Sequence, residues 1–235
     1  MNRSDYDKDK KCEEIVSQWM EENLFNKKSF LGTYYKNHDE SLQKSGVDSY
    51  LKYPSLFKDD SYYAIDEKSA TSYIRTDLEE ENIPTFAFEL DYKGQNGKRN
   101  EGWLFGNKYK KTEYYLISWI WANVSKNKNG FGEKEEVSKD NILKVKAYLI
   151  CKRKIHKYLE GFKVTKENFM RISQKIRCSG NLKENINPMR YRKTPNVQFS
   201  KYIYEQPVNV IISQHDLGRM SIKTWEVMYN QNREF

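Results

Sequence analysis

The chain has few of the residues and segments that mark several common classes of protein. Its 235 residues include only 5 Pro and 11 Gly, which excludes a collagenous or linker-like chain. The 3 cysteines (Cys12, Cys151 and Cys178) are widely spaced and form no CxxC pair, so we expect buried free thiols and neither a zinc ribbon nor a disulfide framework. The longest apolar stretch, Tyr114 to Ala122, is far shorter than the roughly 20 residues that span a bilayer, so no membrane span is expected.

Several familiar motifs are missing as well. The sequence contains no glycine-rich phosphate loop, no GxGxxG, no GxSxG and no HExxH, which argues against phosphate-loop enzymes, dinucleotide-binding folds and zinc proteases. The 3 histidines occur singly in polar segments, as surface histidines do. No apolar segment follows the initial Met, so we expect no secretory signal and a cytoplasmic location.

Aromatic residues are abundant, and they argue against disorder. Phe, Trp and Tyr make up 14% of the chain, although 31% of residues are charged and the mean hydropathy is −0.95. The length suits one large domain, or a domain with an elaboration, with a substantial core.

The net charge of +8 is unevenly distributed. Residues 1–125 contain 18 Lys and Arg against 22 Asp and Glu, whereas residues 126–235 contain 23 against 11. An acidic half beside a basic half is typical of an enzyme that holds a cation with one surface and phosphates with the other. The alternative is a lysine-rich composition that spreads charge over every solvated face.

The periodicity predicts one α/β unit with a basic C-terminal elaboration. A helix is predicted over 12–24, and the Asn96-Gly97 turn predicts a hairpin with a returning strand at Glu101. Further strands are predicted over 47–53, 62–70, 85–92, 114–121, 142–150 and 207–212, and further helices over 152–162 and 166–178. The polar segment 125–141 is the best candidate for a long loop or hinge. We therefore expect a core over 1–125 and a basic α/β elaboration over 126–235, unless the whole chain is one domain.

The segment Asp66-Glu67-Lys68 ends an apolar strand. Side chains alternate along a strand, so Asp66 and Lys68 project from one face and Glu67 from the other. Asp48 starts the preceding strand, and two carboxylates on adjacent strands can hold a hard cation such as Mg²⁺. A charged strand end before a turn is the alternative interpretation.

A helix with glutamates, then Gly46-Val47-Asp48, then a strand ending in Asp66-x-Lys68 resembles the PD-(D/E)XK nuclease superfamily. The resemblance covers roughly residues 10–122 and rests on a short motif. It departs from the family pattern at Val47, where the family has Pro.

The resemblance implies an α/β restriction-endonuclease-like core, with a mixed central sheet flanked by helices, and a role for each matching residue. Asp48 and Asp66 would bind Mg²⁺ or Mn²⁺, and Lys68 would assist the attacking water. A helix glutamate would complete the site, with Glu14 chosen and Glu13 and Glu22 as alternatives. Glu89 would be a further site residue, and Gln43 would contact nucleic acid.

A different carboxylate pair offers a second catalytic interpretation. Glu89 and Asp91 lie two residues apart on a predicted strand, as in three-carboxylate exonucleases of the RNase H kind. That class needs further acids late in the chain, where the sequence offers isolated ones such as Asp216.

The basic half contains the candidate contacts to nucleic acid phosphates. These are Lys152, Arg153, Lys154 and Lys157 on one helix, Arg171, Lys175 and Arg177 on the next, and Arg190, Arg192 and Lys193 with Tyr191 in a loop. The sequence thus predicts a metal-dependent nuclease that acts on DNA. The alternative is a non-catalytic nucleic-acid-binding or anti-defence protein on a nuclease-like fold.

Overall fold

The computed structural model describes residues 5–188, 194–229 and 231–234. The helices are α1 (Asp5–Met20), which continues as a π-helical turn over Glu21–Phe25, α2 (Glu40–Gln43), α3 (Pro54–Phe57), α4 (Lys152–Glu160), α5 (Phe169–Cys178) and α6 (Gln214–Met220). The strands are β1 (Thr33–Lys36), β2 (Ser49–Lys52), β3 (Tyr63–Ser69), β4 (Thr85–Lys93), β5 (Arg99–Glu101), β6 (Tyr114–Ala122), β7 (Ile142–Cys151), β8 (Lys183–Asn185), β9 (Asn196–Phe199), β10 (Val208–Ser213), β11 (Lys223–Met228) and β12 (Gln231–Glu234).

The protein is a mixed α/β protein with two sheets, one in each of two compact units. Unit 1 comprises residues 1–83, 112–151 and 221–235, and unit 2 comprises 84–111 and 152–220. The boundary predicted near residue 125 does not coincide with a boundary between the two units. Residue 125 lies between β6 and β7, which pair along their length within unit 1. No helix in the described part of the chain is long and apolar enough to cross a membrane.

Unit 1 contains a seven-stranded sheet in the order β1-β2-β3-β6-β7-β11-β12. All neighbours are antiparallel except β3 and β6, which run parallel. The central strand β6 is buried on both faces, as expected for its almost continuous apolar run. The site residues lie on the adjacent strand, β3.

One face of this sheet is covered by α1. The apolar stripe of α1 includes Cys12, Val16 and Trp19, which pack in one core with Ile65 of β3 and Trp225 of β11. This stripe fixes the rotation of the helix, and therefore which of its glutamates can reach β3.

Unit 2 contains an antiparallel five-stranded sheet in the order β5-β4-β10-β9-β8, with α5 packed against β4 and β9. The Asn96-Gly97 turn forms the predicted β4–β5 hairpin, and Gly97 has the positive φ of 75° that favours glycine. Since β4 pairs with β10 and β5, the strand that carries Glu89 belongs to this sheet and not to the sheet that carries Asp66.

Candidate functional site

Two neighbouring strands bring Asp48, Asp66 and Lys68 together. Asp48 precedes β2, and its N–H donates to the Ile65 carbonyl of β3 at 2.9 Å. The Lys68 ammonium donates to Oδ1 of Asp66 and lies 3.9 Å from Oδ2 of Asp48. Both carboxylates therefore face the same ammonium group. We call the face of the sheet that carries Asp66 and Lys68 the site face.

The turn before Asp48 is fixed by local hydrogen bonds. Gly46 has a φ of 78°, a left-handed conformation that glycine adopts without strain. The Asn37 side chain donates to the Val47 carbonyl at 2.6 Å. The Gln43 side chain donates to the Asn37 carbonyl at 2.6 Å, so the residue predicted to contact nucleic acid supports this turn. Asp48 in turn accepts a hydrogen bond at 2.9 Å from the Glu67 N–H.

Asp66 is fully buried, and burial is the main reason why its pKa rises to about 8. The Lys68 ammonium opposes the rise and the Asp48 carboxylate adds to it. Oδ2 of Asp66 has no hydrogen-bond partner among the described residues. At this pKa the folded protein holds a proton on the buried carboxyl at neutral pH, and a cation bound at Asp66 would displace that proton.

Lys68 is the cation of the cluster. Burial alone would lower its pKa, but the carboxylates of Asp66, Glu13 and Asp48 together raise it well above the ordinary value. The ammonium therefore stays charged at neutral pH. Its positive charge offsets part of the negative charge of these carboxylates.

The helix glutamate of the cluster is Glu13, not Glu14, which was the preferred choice. Oε1 of Glu13 accepts a hydrogen bond at 3.0 Å from the Ser69 N–H at the end of β3. Burial raises the pKa of Glu13 to about 7, against the opposing effect of Lys68. Glu14 is exposed, because it lies one residue further around the helix from the buried Cys12. Glu22 is also exposed, and it pairs with Lys139.

Glu67 projects from the opposite face, as strand alternation predicts. Its carboxylate accepts hydrogen bonds from Ser49 and from Tyr34, the latter at 2.8 Å, and it pairs with Lys36 at 3.1 Å. Burial would raise its pKa, but Lys36 and the hydroxyl donors outweigh burial and lower it. Glu67 therefore stays ionised and fully partnered, away from the cluster.

The second carboxylate pair lies in unit 2 and is differently arranged. Glu89 is half-buried on β4. Asp91 is buried and paired with Arg177 of α5, so this carboxylate is already neutralised. Asp216 accepts hydrogen bonds from the Ser213 hydroxyl at 2.7 Å and the Tyr158 hydroxyl at 2.9 Å near the start of α6. These partners explain both aspartates as structural residues.

The predicted phosphate contacts divide by exposure. Lys152 is buried and donates to the Tyr109 carbonyl at 2.7 Å, which makes it a structural residue. Arg153 and Arg171 are exposed. Two further residues are exposed with partners: Lys154 donates to the Met220 carbonyl at 3.3 Å, and Lys175 pairs with Glu184 at 2.6 Å. Arg190, Arg192, Lys193 and Tyr191 lie outside the described residues.

The two units differ more sharply in charge than the two halves of the sequence. Unit 2 contains 21 Lys and Arg against 8 Asp and Glu, a net charge of +13. Unit 1 contains 20 against 25, a net charge of −5. The strongly basic character therefore belongs to one unit, and the carboxylate cluster belongs to the other.

The cluster offers hard oxygen ligands, the type that Mg²⁺ and Mn²⁺ prefer. Oδ2 of Asp66 in particular is buried and accepts no hydrogen bond within the described residues. In the same residues no three Asp, Glu, His or Cys side chains are grouped as ligands of one ion. A cation bound by Asp48 and Asp66 would compete with the Lys68 ammonium for the two aspartates.

Comparisons with protein-family models, with curated proteins and with solved structures found no match to this chain. The function must therefore be argued from the site itself.

Proposed function

We propose that this protein is a metal-dependent nuclease that hydrolyses phosphodiester bonds in DNA and is built on a restriction-endonuclease-like core. The observation that carries the proposal is the meeting of Asp48, Asp66 and Lys68 on one face of two adjacent strands. Glu13 of α1 accepts a hydrogen bond from the next residue of β3, Ser69, and interacts electrostatically with Lys68. Perturbed carboxylates around one lysine are typical of functional sites, although structural ion pairs can also perturb pKa values.

Each residue of the cluster has a role that follows from its position. Asp48 and Asp66 would hold Mg²⁺ or Mn²⁺, with Glu13 as a further oxygen ligand. Bound there, the cation would supply an activated water and offset the charge of the phosphate. Lys68 orients the attacking water by hydrogen bonding and stabilises the negative charge that develops on the phosphate oxygens.

The charge of unit 2 supports a nucleic acid as the substrate. Lys and Arg that neutralise phosphates supply most of the sequence-independent affinity for DNA. A unit with a net charge of +13 that exposes Arg153 and Arg171 suits that task. A cytoplasmic location, where nucleic acids are accessible, stays a prediction from the sequence.

The test is a plasmid-nicking assay in Mg²⁺, in Mn²⁺ and in EDTA. We expect cleavage with either cation and none in EDTA. Asp66→Asn should lose cleavage, since the amide keeps the shape and loses the charge that holds the cation. Asp140→Asn, at an exposed aspartate of the same unit, is the matched control and should cleave normally. A single-stranded DNA oligonucleotide is assayed in parallel, and absence of cleavage of both substrates by the wild-type protein with both cations would reject the proposal.

One observation favours a second function, a non-catalytic nucleic-acid-binding or anti-defence protein. The Lys68 ammonium already contacts both aspartates, so it could replace a metal ion as their permanent counter-ion. That function predicts DNA binding that is the same in Mg²⁺ and in EDTA, together with no cleavage. A thermal-shift titration with Mg²⁺ separates the two, because only the nuclease needs the cation to bind.

A further inference from the structure

The site face carries a group of tyrosines beside the carboxylate cluster. In the antiparallel ladder, Tyr35 of β1 lies opposite Tyr50 of β2, and Tyr50 lies opposite Ala64 of β3. Directly opposed residues share one face of a sheet, and Ala64 shares its face with Asp66. Tyr35 and Tyr50 therefore lie on the site face, on the two strands that precede the strand of Asp66.

A third tyrosine joins this pair. The rings of Tyr35 and Tyr50 are stacked with their centroids 5.0 Å apart. The ring of Tyr62, just before β3, meets Tyr35 edge to face at 5.3 Å. Tyr35 is 45% exposed and Tyr62 is 46% exposed. We call Tyr35, Tyr50 and Tyr62 the tyrosine shelf.

The tyrosine shelf is close to the cluster. Tyr50 lies one strand away from Ala64, and Asp66 lies two residues further along β3. Strand geometry places the backbone of Tyr50 on the order of 8 Å from that of Asp66. Asp48 is two residues before Tyr50 and on the same face. A nucleotide whose phosphate reached Lys68 could therefore lay an adjacent base on the tyrosine shelf.

The chemistry of the tyrosine shelf limits what it can bind. Tyr35 and Tyr62 each leave nearly half of their surface, which is neutral and aromatic, open to solvent. Lys52, which pairs with Asp60 at 3.0 Å, lies 5.9 Å from the centroid of Tyr62. Aromatic faces of this kind stack on nucleobases of any sequence. Paired bases inside a duplex hide their faces against neighbouring base pairs, so only unpaired bases can stack in this way.

We propose that the tyrosine shelf binds unpaired bases of a single-stranded nucleic acid next to the candidate centre. The inference rests on the proposed function, in which a phosphodiester of the substrate lies at Lys68. It adds the substrate class: a single strand, or a single-stranded segment at an end or junction.

The experiment measures binding without cleavage. Fluorescein-labelled oligo-dT, oligo-U and a DNA duplex of equal length are titrated in EDTA by fluorescence anisotropy. We expect the wild-type protein to bind the single strands more tightly than the duplex. Tyr35→Leu and Tyr62→Leu should each weaken single-strand binding by roughly tenfold, the scale of a lost stacking contact, with no change in the salt dependence.

The controls separate stacking from folding and from general surface effects. Tyr35→Phe keeps the ring and should retain the wild-type affinity. Tyr229→Leu removes a tyrosine that is 61% exposed after β11, toward the opposite edge of the same sheet, and should bind normally. Thermal melts identify any variant that fails to fold. The comparison of Tyr35→Phe with Tyr35→Leu shows whether binding depends on the aromatic ring at position 35.

An abasic site in the oligonucleotide completes the test. Removing the base that lies on the tyrosine shelf should weaken wild-type binding but should not weaken the binding of Tyr35→Leu further. The same affinity for Tyr35→Leu and wild type, or tighter binding of the duplex, would overturn the inference. Tyrosine-dependent binding without any Mg²⁺-dependent cleavage would support the inference and reject the nuclease. A preference for oligo-U over oligo-dT would identify RNA as the single strand.

Discussion

Replacing Asp66 with asparagine should change how the stability of the protein depends on pH. Burial raises the pKa of Asp66 from 3.8 to about 8, whereas in the unfolded chain the pKa returns to its ordinary value. Between these two values the folded protein binds a proton at Asp66 that the unfolded chain has lost. The free energy of unfolding must therefore fall as the pH rises from about 4 to about 8.

The size of the effect follows from proton linkage. One additional bound proton changes the free energy of unfolding by about 1.4 kcal/mol per pH unit. Glu13, whose pKa is raised from 4.5 to about 7, adds a second proton over the lower part of this range. Near pH 6 the two groups together should contribute a loss of between about 2 and 3 kcal/mol per pH unit, and above pH 7 mainly Asp66 contributes. In Asp66→Asn the contribution of Glu13 remains, so about half of that loss should disappear.

Urea unfolding at a series of pH values from 5 to 8 measures this difference. Four of the five tryptophans belong to unit 1 and one, Trp103, to unit 2, so tryptophan fluorescence reports mainly the unit that contains the site; the four are Trp19, Trp119, Trp121 and Trp225. Other groups that titrate, such as His156, are common to wild type and variant and cancel in the difference. The exposed control Asp140→Asn should keep the wild-type slope. If the slope of Asp66→Asn equals the wild-type slope, the raised pKa of Asp66 is wrong.

Two further variant sets test the helix glutamate and the basic residues. Glu13→Gln should reduce Mg²⁺-dependent cleavage by at least tenfold, whereas Glu14→Gln should cleave normally; equal rates in nicking assays would remove Glu13 from the site. Replacing Arg190, Arg192 and Lys193 together with alanine should flatten the slope of log K against log salt for duplex DNA by roughly two to three, since each phosphate contact adds about 0.9. An unchanged slope in binding titrations would show that these three residues do not contact DNA.

The faces on which Asp66, Glu67 and Lys68 of β3 lie could be predicted from the sequence, because the alternation of side chains along a strand is a local property. Alternation along a strand places Asp66 and Lys68 on one face and Glu67 on the other, whatever the rest of the fold. The Gly46 turn and the short connection from β2 to β3 place Asp48 beside them. These relations involve residues fewer than 25 apart in the chain, and the structure contains all of them.

The helix glutamate shows where the sequence argument lost accuracy. At about 100° per residue, Glu13 lies beside the buried stripe of Val16 and Met20, whereas Glu14 lies on the opposite side of the helix. The signal that favours Glu13 over Glu14 is therefore present in the sequence, in the apolar periodicity of α1.

The arrangement of the two units depends on contacts that no local pattern reveals. Strand β4 is apolar enough to suit either sheet, and its pairing with β10 joins residues more than 100 positions apart. Lys152 looks like a phosphate contact on a basic helix, yet it is buried because the Tyr109 carbonyl, 43 residues earlier, accepts its hydrogen bond. Short strands such as β1 also lack the length that an alternation pattern requires.

Asp66 and Glu67 are adjacent acids on one strand, and their different surroundings distinguish a structural carboxylate from a functional one. Glu67 has a lysine and hydroxyl donors around it, so its pKa is lowered and its charge contributes to stability. Asp66 shares a single ammonium with Asp48, keeps one oxygen without a donor in the described part of the chain, and has a raised pKa. A protein that needed only a stable strand would gain by replacing Asp66 with an apolar residue of similar size. An acid that is buried at a cost to stability beside a lysine therefore supports the proposal that Asp66 contacts a bound group.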